Sequence, residues 1–404
     1  MSLAARSHVE SAITAPGLDH ILSTIDQLGP ALADLADPID RGQTPPALAY
    51  ELIARSPLLT ALIPVADGGH GLDFAGYTKV LAHLAHYNGA AALGYNMHNV
   101  AIGNLFECDT SVLGKAGAKF RDWVISEVAA NGKIFASAAS EPGTGARLRG
   151  IATTYRRDGD SYILTGHKSF VSLASVADYY VVSARPENAP NDYEVSHFVV
   201  GRGDENITFS ADWNGSALRG TATAEMWLQE TRVPADRLYL GVEGMSLFKA
   251  IREPHWMAAG YLGAYLGLAV AIVDYTAAYI NGSERHRNDA AITHQLGAMV
   301  VRLEATRALV YRAAAAVNGD SAGPETNTVI YAAKYHLGET AQSLAADAVR
   351  LTGSASMTAD GPMQRLLREV QFCSIMPAKP RDCLDYVARA RLGDNMFDVR
   401  NQSW

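Results

Sequence analysis

The period of the apolar positions changes twice along the chain. Up to about residue 133 it is helical. Leu22, Ile25, Leu28, Leu32 and Leu35 recur on one face, and Asp37-Pro38 is expected to stop the run. A glycine-rich turn, Gly68-Gly69-His70-Gly71, follows Ile63-Pro64. Residues 74–106 return to helix, with a break at Asn88-Gly89. From about 134 to 238 the runs are short and cut by turn residues. Segments 134–139, 150–156, 162–165, 179–184, 197–200, 207–210 and 224–228 read as strands. Asp158-Gly159 is a hairpin-turn candidate, and Val233-Pro234 closes the block. From about 239 onward, runs rich in Ala and Leu at 247–279, 294–317 and 327–351 predict long helices. Asn281-Gly282, Asn318-Gly319 and Gly353 separate them. The pattern predicts an α+β protein with segregated layers. These are an N-terminal helical domain (1–133), a central β-barrel or sandwich domain (134–238) and a C-terminal bundle of three or four long helices (239–404).

One segment raises the question of a membrane. Residues 256–273 are an uncharged run of 18, the threshold for a spanning helix. The run stands alone and Asp274 ends it without a basic flank. Its small residues, Gly260, Gly263, Ala264 and Gly267, would let neighbouring helices approach closely. A buried helix and no membrane contact are expected.

Composition narrows the function classes. The chain has 404 residues, 48% of them hydrophobic and 19% charged, which suits a folded protein of two or three domains. Its net charge of −8 makes nucleic acid an unexpected partner. Three cysteines, Cys108, Cys373 and Cys383, include no CxxC pair and suit a reducing cytoplasm. Residues 1–14 lack the apolar core of a signal peptide. His83 and His86 stand three residues apart on a predicted helix. No acid or cysteine at matching spacing joins them, so packing or surface roles are expected and no metal.

The chemistry concentrates in three segments. The first is Ser137-Ala138-Ala139-Ser140-Glu141-Pro142-Gly143-Thr144-Gly145-Ala146-Arg147. A strand there ends in a hydroxyl, an acid, a proline and two glycines. Exposed backbone N–H groups in such a loop suit an anion or an electron-rich ring edge, and the same residues also make ordinary turns. Gly143, Gly145 and Gly150 miss the dinucleotide-binding spacing, and no helix follows. The second segment is Asp158-Gly159-Asp160-Ser161-Tyr162-Ile163-Leu164-Thr165-Gly166-His167-Lys168-Ser169-Phe170-Val171-Ser172. The third is Ala217-Leu218-Arg219-Gly220-Thr221-Ala222-Thr223-Ala224-Glu225, running into Thr231-Arg232-Val233-Pro234-Ala235-Asp236.

In this order, inside a helix–β–helix chain, the three segments resemble the acyl-CoA dehydrogenase superfamily. The resemblance covers nearly the whole chain. It implies an N-terminal helical domain, a central β domain and a C-terminal four-helix bundle, with FAD between the β domain and the bundle, a homotetramer, and a flavoprotein oxidoreductase. Ser137, Ala139 and Ser140 match the strand end that meets the flavin, with Ser140 bonding the ring. Fixed donors there would stabilise the charge a reduced flavin gains near N1 and the C2 carbonyl. Phe170 matches an aromatic, usually Trp, that covers one flavin face, and Ser172 a hydroxyl near N5. Arg285 and Gln295 match residues that reach the FAD of a neighbouring subunit, with Arg287 competing for the first role. A guanidinium fork suits a diphosphate. Gly353 matches one of two paired glycines on the adenine side. The second is Ser354 here, and Arg350 replaces a usual Gln.

The pattern breaks where the family holds its catalytic base. A dehydrogenase of this family takes an α-proton with a carboxylate while the β-hydride goes to the flavin. One usual position of that carboxylate falls on Pro377 and the other on Met257. A shifted alignment brings Glu253 near the second. Asp382 and Asp385 are the nearest acids after the loop. Gly145, Ala146 and Arg147 stand where the family meets the acyl thioester. Ala146-Arg147 replaces a common Ser-Asp, so Arg147 is expected to meet an anionic group or to lie exposed.

The leading expectation is α,β-dehydrogenation of an acyl-CoA or acyl-carrier thioester, with electron-transfer flavoprotein or O₂ as acceptor. The first alternative is a monooxygenase on the same fold, taking FMN or reduced flavin as co-substrate with O₂. The second is a flavin-binding protein without turnover.

Overall fold

The structure, a computed structural model, describes residues 16–401 apart from 109, 110, 112 and 212. The expectation for residues 1–14 lies outside the described residues. The N-terminal domain comprises α1 (Pro16–Asp40), α2 (Ala47–Ala54), α3 (Phe74–Tyr87), α4 (Gly89–Glu107) and α5 (Lys115–Ala129). Asn88 makes the break between α3 and α4. Its Oδ1 accepts the Ala91 N–H (3.0 Å) and its Nδ2 donates to the Leu32 carbonyl (2.9 Å), which caps α4 and ties it to α1. Contrary to expectation, α1 runs through Asp37-Pro38 and ends at Asp40. Its last turn is held from outside, where Arg365 binds Asp37 (2.7 Å) and Arg368 binds Asp40.

The central domain is a curled seven-stranded sheet with the path β1-β4-β2-β3-β7-β6, and β5 beside β4. The strands are β1 (Phe135–Ala138), β2 (Thr154–Asp158), β3 (Ser161–Val171), β4 (Tyr179–Pro186), β5 (Ser196–Gly201), β6 (Ile207–Phe209) and β7 (Ala224–Pro234). The Asp158-Gly159 turn joins β2 to β3 in antiparallel register, Asp158 opposite Ser161. β3 pairs with β7 but shifts register between Lys168 and Val171. That irregularity frees Phe170 from the ladder, in a left-handed backbone conformation (φ 54°).

The C-terminal domain contains α6 (Ser246–Arg252), α7 (His255–Ala258), α8 (Leu262–Asn281), α9 (Glu284–Arg287), α10 (Ala290–Gly319), α11 (Pro324–Thr352), α12 (Pro362–Glu369), α13 (Phe372–Ile375) and α14 (Pro380–Leu392). The run expected as one helix over 247–279 is three. Pro254 follows the end of α6, and α7 turns inward so that His255 Nε2 (2.8 Å) and Trp256 Nε1 (2.9 Å) both meet Glu107 Oε2. The stretch His255–Asn281 is long and apolar enough to cross a membrane, and 83% of its apolar window is buried inside the molecule. The small residues explain how. A Cβ on Gly267 would come within 2.2 Å of the Ala82 carbonyl, and one on Gly263 within 2.6 Å of the Thr78 carbonyl. α3 and α8 therefore pack backbone against backbone.

His83 and His86 find partners from other helices, Asp26 (2.7 Å) and Asp274 (3.0 Å). Among the described residues no group of three metal-ligating side chains forms.

Candidate active site

The end of β1, the bulged end of β3 and the turn before β7 come together with α4, α7, the turn between α7 and α8, and α13. Between them lies a cavity of about 570 Å³. A single buried ion pair aligns the first two segments. Lys168 Nζ, fully buried in β3, donates to Glu141 Oε1 (2.7 Å) and the Ser183 carbonyl (2.6 Å). The Glu141 carboxylate also accepts the N–H groups of Ala152 (2.5 Å) and Thr153 (3.0 Å). Burial pushes Lys168 down to about 8 despite the neighbouring carboxylate. Burial also opposes ionisation of Glu141, but Lys168 and the N–H donors outweigh it and hold that carboxyl below its usual range. The Glu141 and Gly145 backbones bond each other in both directions (3.0 and 2.9 Å), which closes the 141–145 turn. Ser140 accepts the Ser169 N–H (2.9 Å).

This pin brings most of the expected residues together. Ser137, Ala139, Ser140, Gly145, Ala146, Arg147, Phe170 and Ser172 all line the cavity. Arg285, Gln295 and Gly353 do not. They lie exposed on the C-terminal domain, away from the cavity of their own chain.

Both usual base positions, Pro377 and Met257, line the cavity as well. Pro377 brings neither a carboxylate nor a backbone N–H to its wall. Glu253 is turned elsewhere. It lines an adjoining cavity of about 210 Å³, which shares Val100, Ser137, Ala139 and Met257 with the first, and it pairs there with Lys249 (2.9 Å). The one carboxylate among the residues lining the main cavity is Asp382. Three cations, Arg147, Lys379 and Arg381, line the same cavity, and none of the three forms an ion pair among the described residues.

Other lining residues had been given no individual role from the sequence, although Thr221 and Thr223 belong to its third segment. Trp213 meets Phe170 edge-on (5.5 Å between centroids) and faces Phe372 (6.1 Å). Thr221 and Thr223 form the floor, and Leu93, Met97, Val100 and Tyr261 form an apolar wall. α11 holds the opposite wall in place. The buried Lys334 donates to the Cys373 carbonyl, and Gln342 Nε2 donates to Ser374 Oγ (2.7 Å).

The residues present fit a flat ring system with polar edges. The cavity has ligand size. Its walls carry two buried polar atoms without a partner among the described residues, Trp213 Nε1 and Thr144 Oγ1. Buried groups of this kind call for a ligand or water.

Comparison with known proteins agrees with this geometry. Residues 136–231 match the family model "Acyl-CoA dehydrogenase, middle domain" and residues 251–377 the model "Acyl-CoA dehydrogenase, C-terminal domain". A 3-(aryl)acrylate reductase of Clostridium sporogenes (strain ATCC 15579) is 25% identical over 84% of this chain and 89% of its own. Two solved structures share the fold. KijD3 in complex with FMN and dTDP-3-amino-2,3,6-trideoxy-4-keto-3-methyl-D-glucose superposes with a TM-score of 0.86, at 22% identity over 98% of each chain. Butyryl-CoA dehydrogenase from Megasphaera elsdenii gives 0.83, at 22% identity over 95% of this chain and 100% of its own. The two family models together span more than half the sequence and fall on the curled sheet and the bundle, so this chain belongs to the acyl-CoA dehydrogenase family of flavin-dependent oxidoreductases.

Proposed function

We propose that the chain binds FAD in the main cavity and carries out redox chemistry at the Cα–Cβ bond of an acyl thioester. The observation that carries this reading is the makeup of the cavity. Ser140, Phe170 and Ser172 line it from the sheet domain, and Leu93, Met97, Val100 and Tyr261 from the helices. The first set suits a flavin ring and the second an acyl chain. A bound flavin supplies two-electron chemistry, taking a hydride from Cβ. The protein's part is to hold the acyl group against the ring, exclude water and take the α-proton on a carboxylate oxygen. That oxygen is Asp382's within the cavity, or Glu253's from the adjoining one.

The finer reading is a cytoplasmic homotetramer in which Arg285 and Gln295 reach the FAD of a neighbouring chain, with Gly353 near its adenine. Electrons leave to an electron-transfer flavoprotein or to O₂. The three rim cations support an anionic carrier group such as the phosphates of CoA.

A second reading, a monooxygenase using reduced flavin and O₂, is favoured by one observation. Both usual base positions present Pro377 and Met257 to the cavity. Anaerobic titration of FAD-loaded protein with short, long, branched and aromatic acyl-CoAs separates the two. Bleaching of the oxidised flavin, lost in Asp382→Asn or Glu253→Gln, is the expected result. No bleaching with any acyl group, together with O₂-dependent product formation when reduced flavin is supplied, selects the monooxygenase.

A further inference from the structure

The cavity is lined by a chain of three buried hydroxyls, Ser172, Thr223 and Thr221, and the proposed reaction gives no part to the last two. Ser172 Oγ contacts Thr223 Oγ1 (3.1 Å), and Thr223 Oγ1 contacts Thr221 Oγ1 (2.8 Å). Thr221 Oγ1 donates to the Leu218 carbonyl (2.8 Å). The exposures are 9% for Ser172, 5% for Thr223 and 4% for Thr221. All three line the cavity.

The far end sets the direction of the chain. A hydroxyl has one hydrogen to donate, and a carbonyl can only accept. Thr221 spends its hydrogen on Leu218, so the Thr221–Thr223 bond uses the hydrogen of Thr223. The Thr223–Ser172 bond then uses the hydrogen of Ser172. Ser172 therefore turns only lone pairs toward the cavity.

The backbone around this chain is held in an unusual shape. Among the described residues seven non-glycine positions have positive φ, and four of them flank the hydroxyls: Phe170, Leu173, Leu218 and Ala222. Such conformations are costly and persist where the surroundings enforce them, often at functional sites. Two backbone bonds enforce them here, Leu173 N–H to Thr221 O (2.8 Å) and Ala174 N–H to Ala222 O (2.9 Å). These bonds keep the hydroxyls in line.

We infer that the Thr221–Thr223 relay makes Ser172 a dedicated hydrogen-bond acceptor, so that the site holds reduced flavin more tightly than oxidised flavin. N5 of an oxidised flavin offers a lone pair, which Ser172 cannot satisfy without breaking the relay. N5 of a reduced flavin carries a hydrogen, which Ser172 accepts. Thr223 and Thr221 are thus positioning residues that act on the redox balance through Ser172. The inference rests on the proposal that Ser172 faces flavin N5.

The test measures dissociation constants for oxidised and anaerobically reduced FAD, and the midpoint potential of bound FAD, in the full chain. Thr223→Val frees the Ser172 hydrogen to meet an oxidised N5. The reduced-to-oxidised affinity ratio should fall about tenfold, the effect of one hydrogen bond. For a two-electron couple that is a shift of about 30 mV to more negative potential. Thr223→Ser keeps the relay and should keep the wild-type ratio. Should Thr223→Val not fold, Thr221→Val reads the same, because Thr223 can then donate to Ser172. A lowered ratio in Ser172→Ala with no change in Thr223→Val overturns the relay and leaves the placement of Ser172 standing. An unchanged ratio in Ser172→Ala overturns the placement itself. A raised ratio in Thr223→Val overturns the direction of the relay.

Discussion

Lys168 has no contact with solvent and one carboxylate for company. Removing an ammonium of this kind leaves a buried charge uncompensated, a change that costs about 3–5 kcal/mol. Lys168→Met should therefore lose roughly that much stability in denaturant unfolding. A variant within about 1 kcal/mol of wild type would contradict the role given to the pair as the pin of the site. The two motifs that carry Glu141 and Lys168 were legible as motifs. The bond between them was not, because periodicity says nothing about which buried polar groups face each other across a sheet. The same limit hid the hydroxyl relay. Thr221-Ala222-Thr223 falls just ahead of the strand expected at 224–228, and Ala222 takes a left-handed conformation (φ 49°) there while both threonines line the cavity. Glu253 shows the reverse case. Its type and place in the chain suited a base, and its i,i+4 salt bridge to Lys249 is a local contact; which of the two cavities that pair faces is the tertiary fact.

At the scale of elements, the helical domain is tied to the sheet where α4 passes β1. His98, 1% exposed on α4, accepts the Phe135 N–H at Nδ1 (3.0 Å). Burial pushes its pKa down to about 4. Protonation would also place a hydrogen on Nδ1 against a donor. Between about 6.5 and 4 the unfolded chain binds a proton that the folded chain does not, so stability rises with pH in that window. The contribution is complete above the usual histidine range and is lost as pH falls toward 4, by roughly 3 kcal/mol. His98→Asn keeps an acceptor without titrating. Its melting temperature should fall less than that of wild type between pH 7 and pH 4.5, and equal slopes would contradict this account. Most elements were legible: the Asn88 break, the Asp158-Gly159 hairpin and the two longest helices all stand near their expected places. The division of 247–279 was not, because its composition is uniformly apolar. Glu107 on α4 fixes the inward turn of α7, and that partner lies far away in sequence.

At the scale of the whole molecule, two helical layers and one sheet layer meet at one cavity, and each supplies a different part of it. The sheet brings the hydroxyls and the pinned loop, α4 and Tyr261 in the turn between α7 and α8 bring the apolar wall, and α13 brings the segment leading to Pro377. The order of the layers was visible in the changing period of the apolar positions. The meeting point was visible only through the resemblance of three short segments to a family.

Flavin binding at that meeting point is the central claim. Ala139 lies at the junction of the two cavities, and a large side chain there would fill the space proposed for the ring. The direct measurement is flavin stoichiometry and affinity by equilibrium dialysis, for wild type and for Ala139→Trp checked for an intact fold. One flavin per chain in wild type, with binding abolished in the variant, is the predicted result. Undiminished binding in the folded variant, or none in wild type, would contradict it.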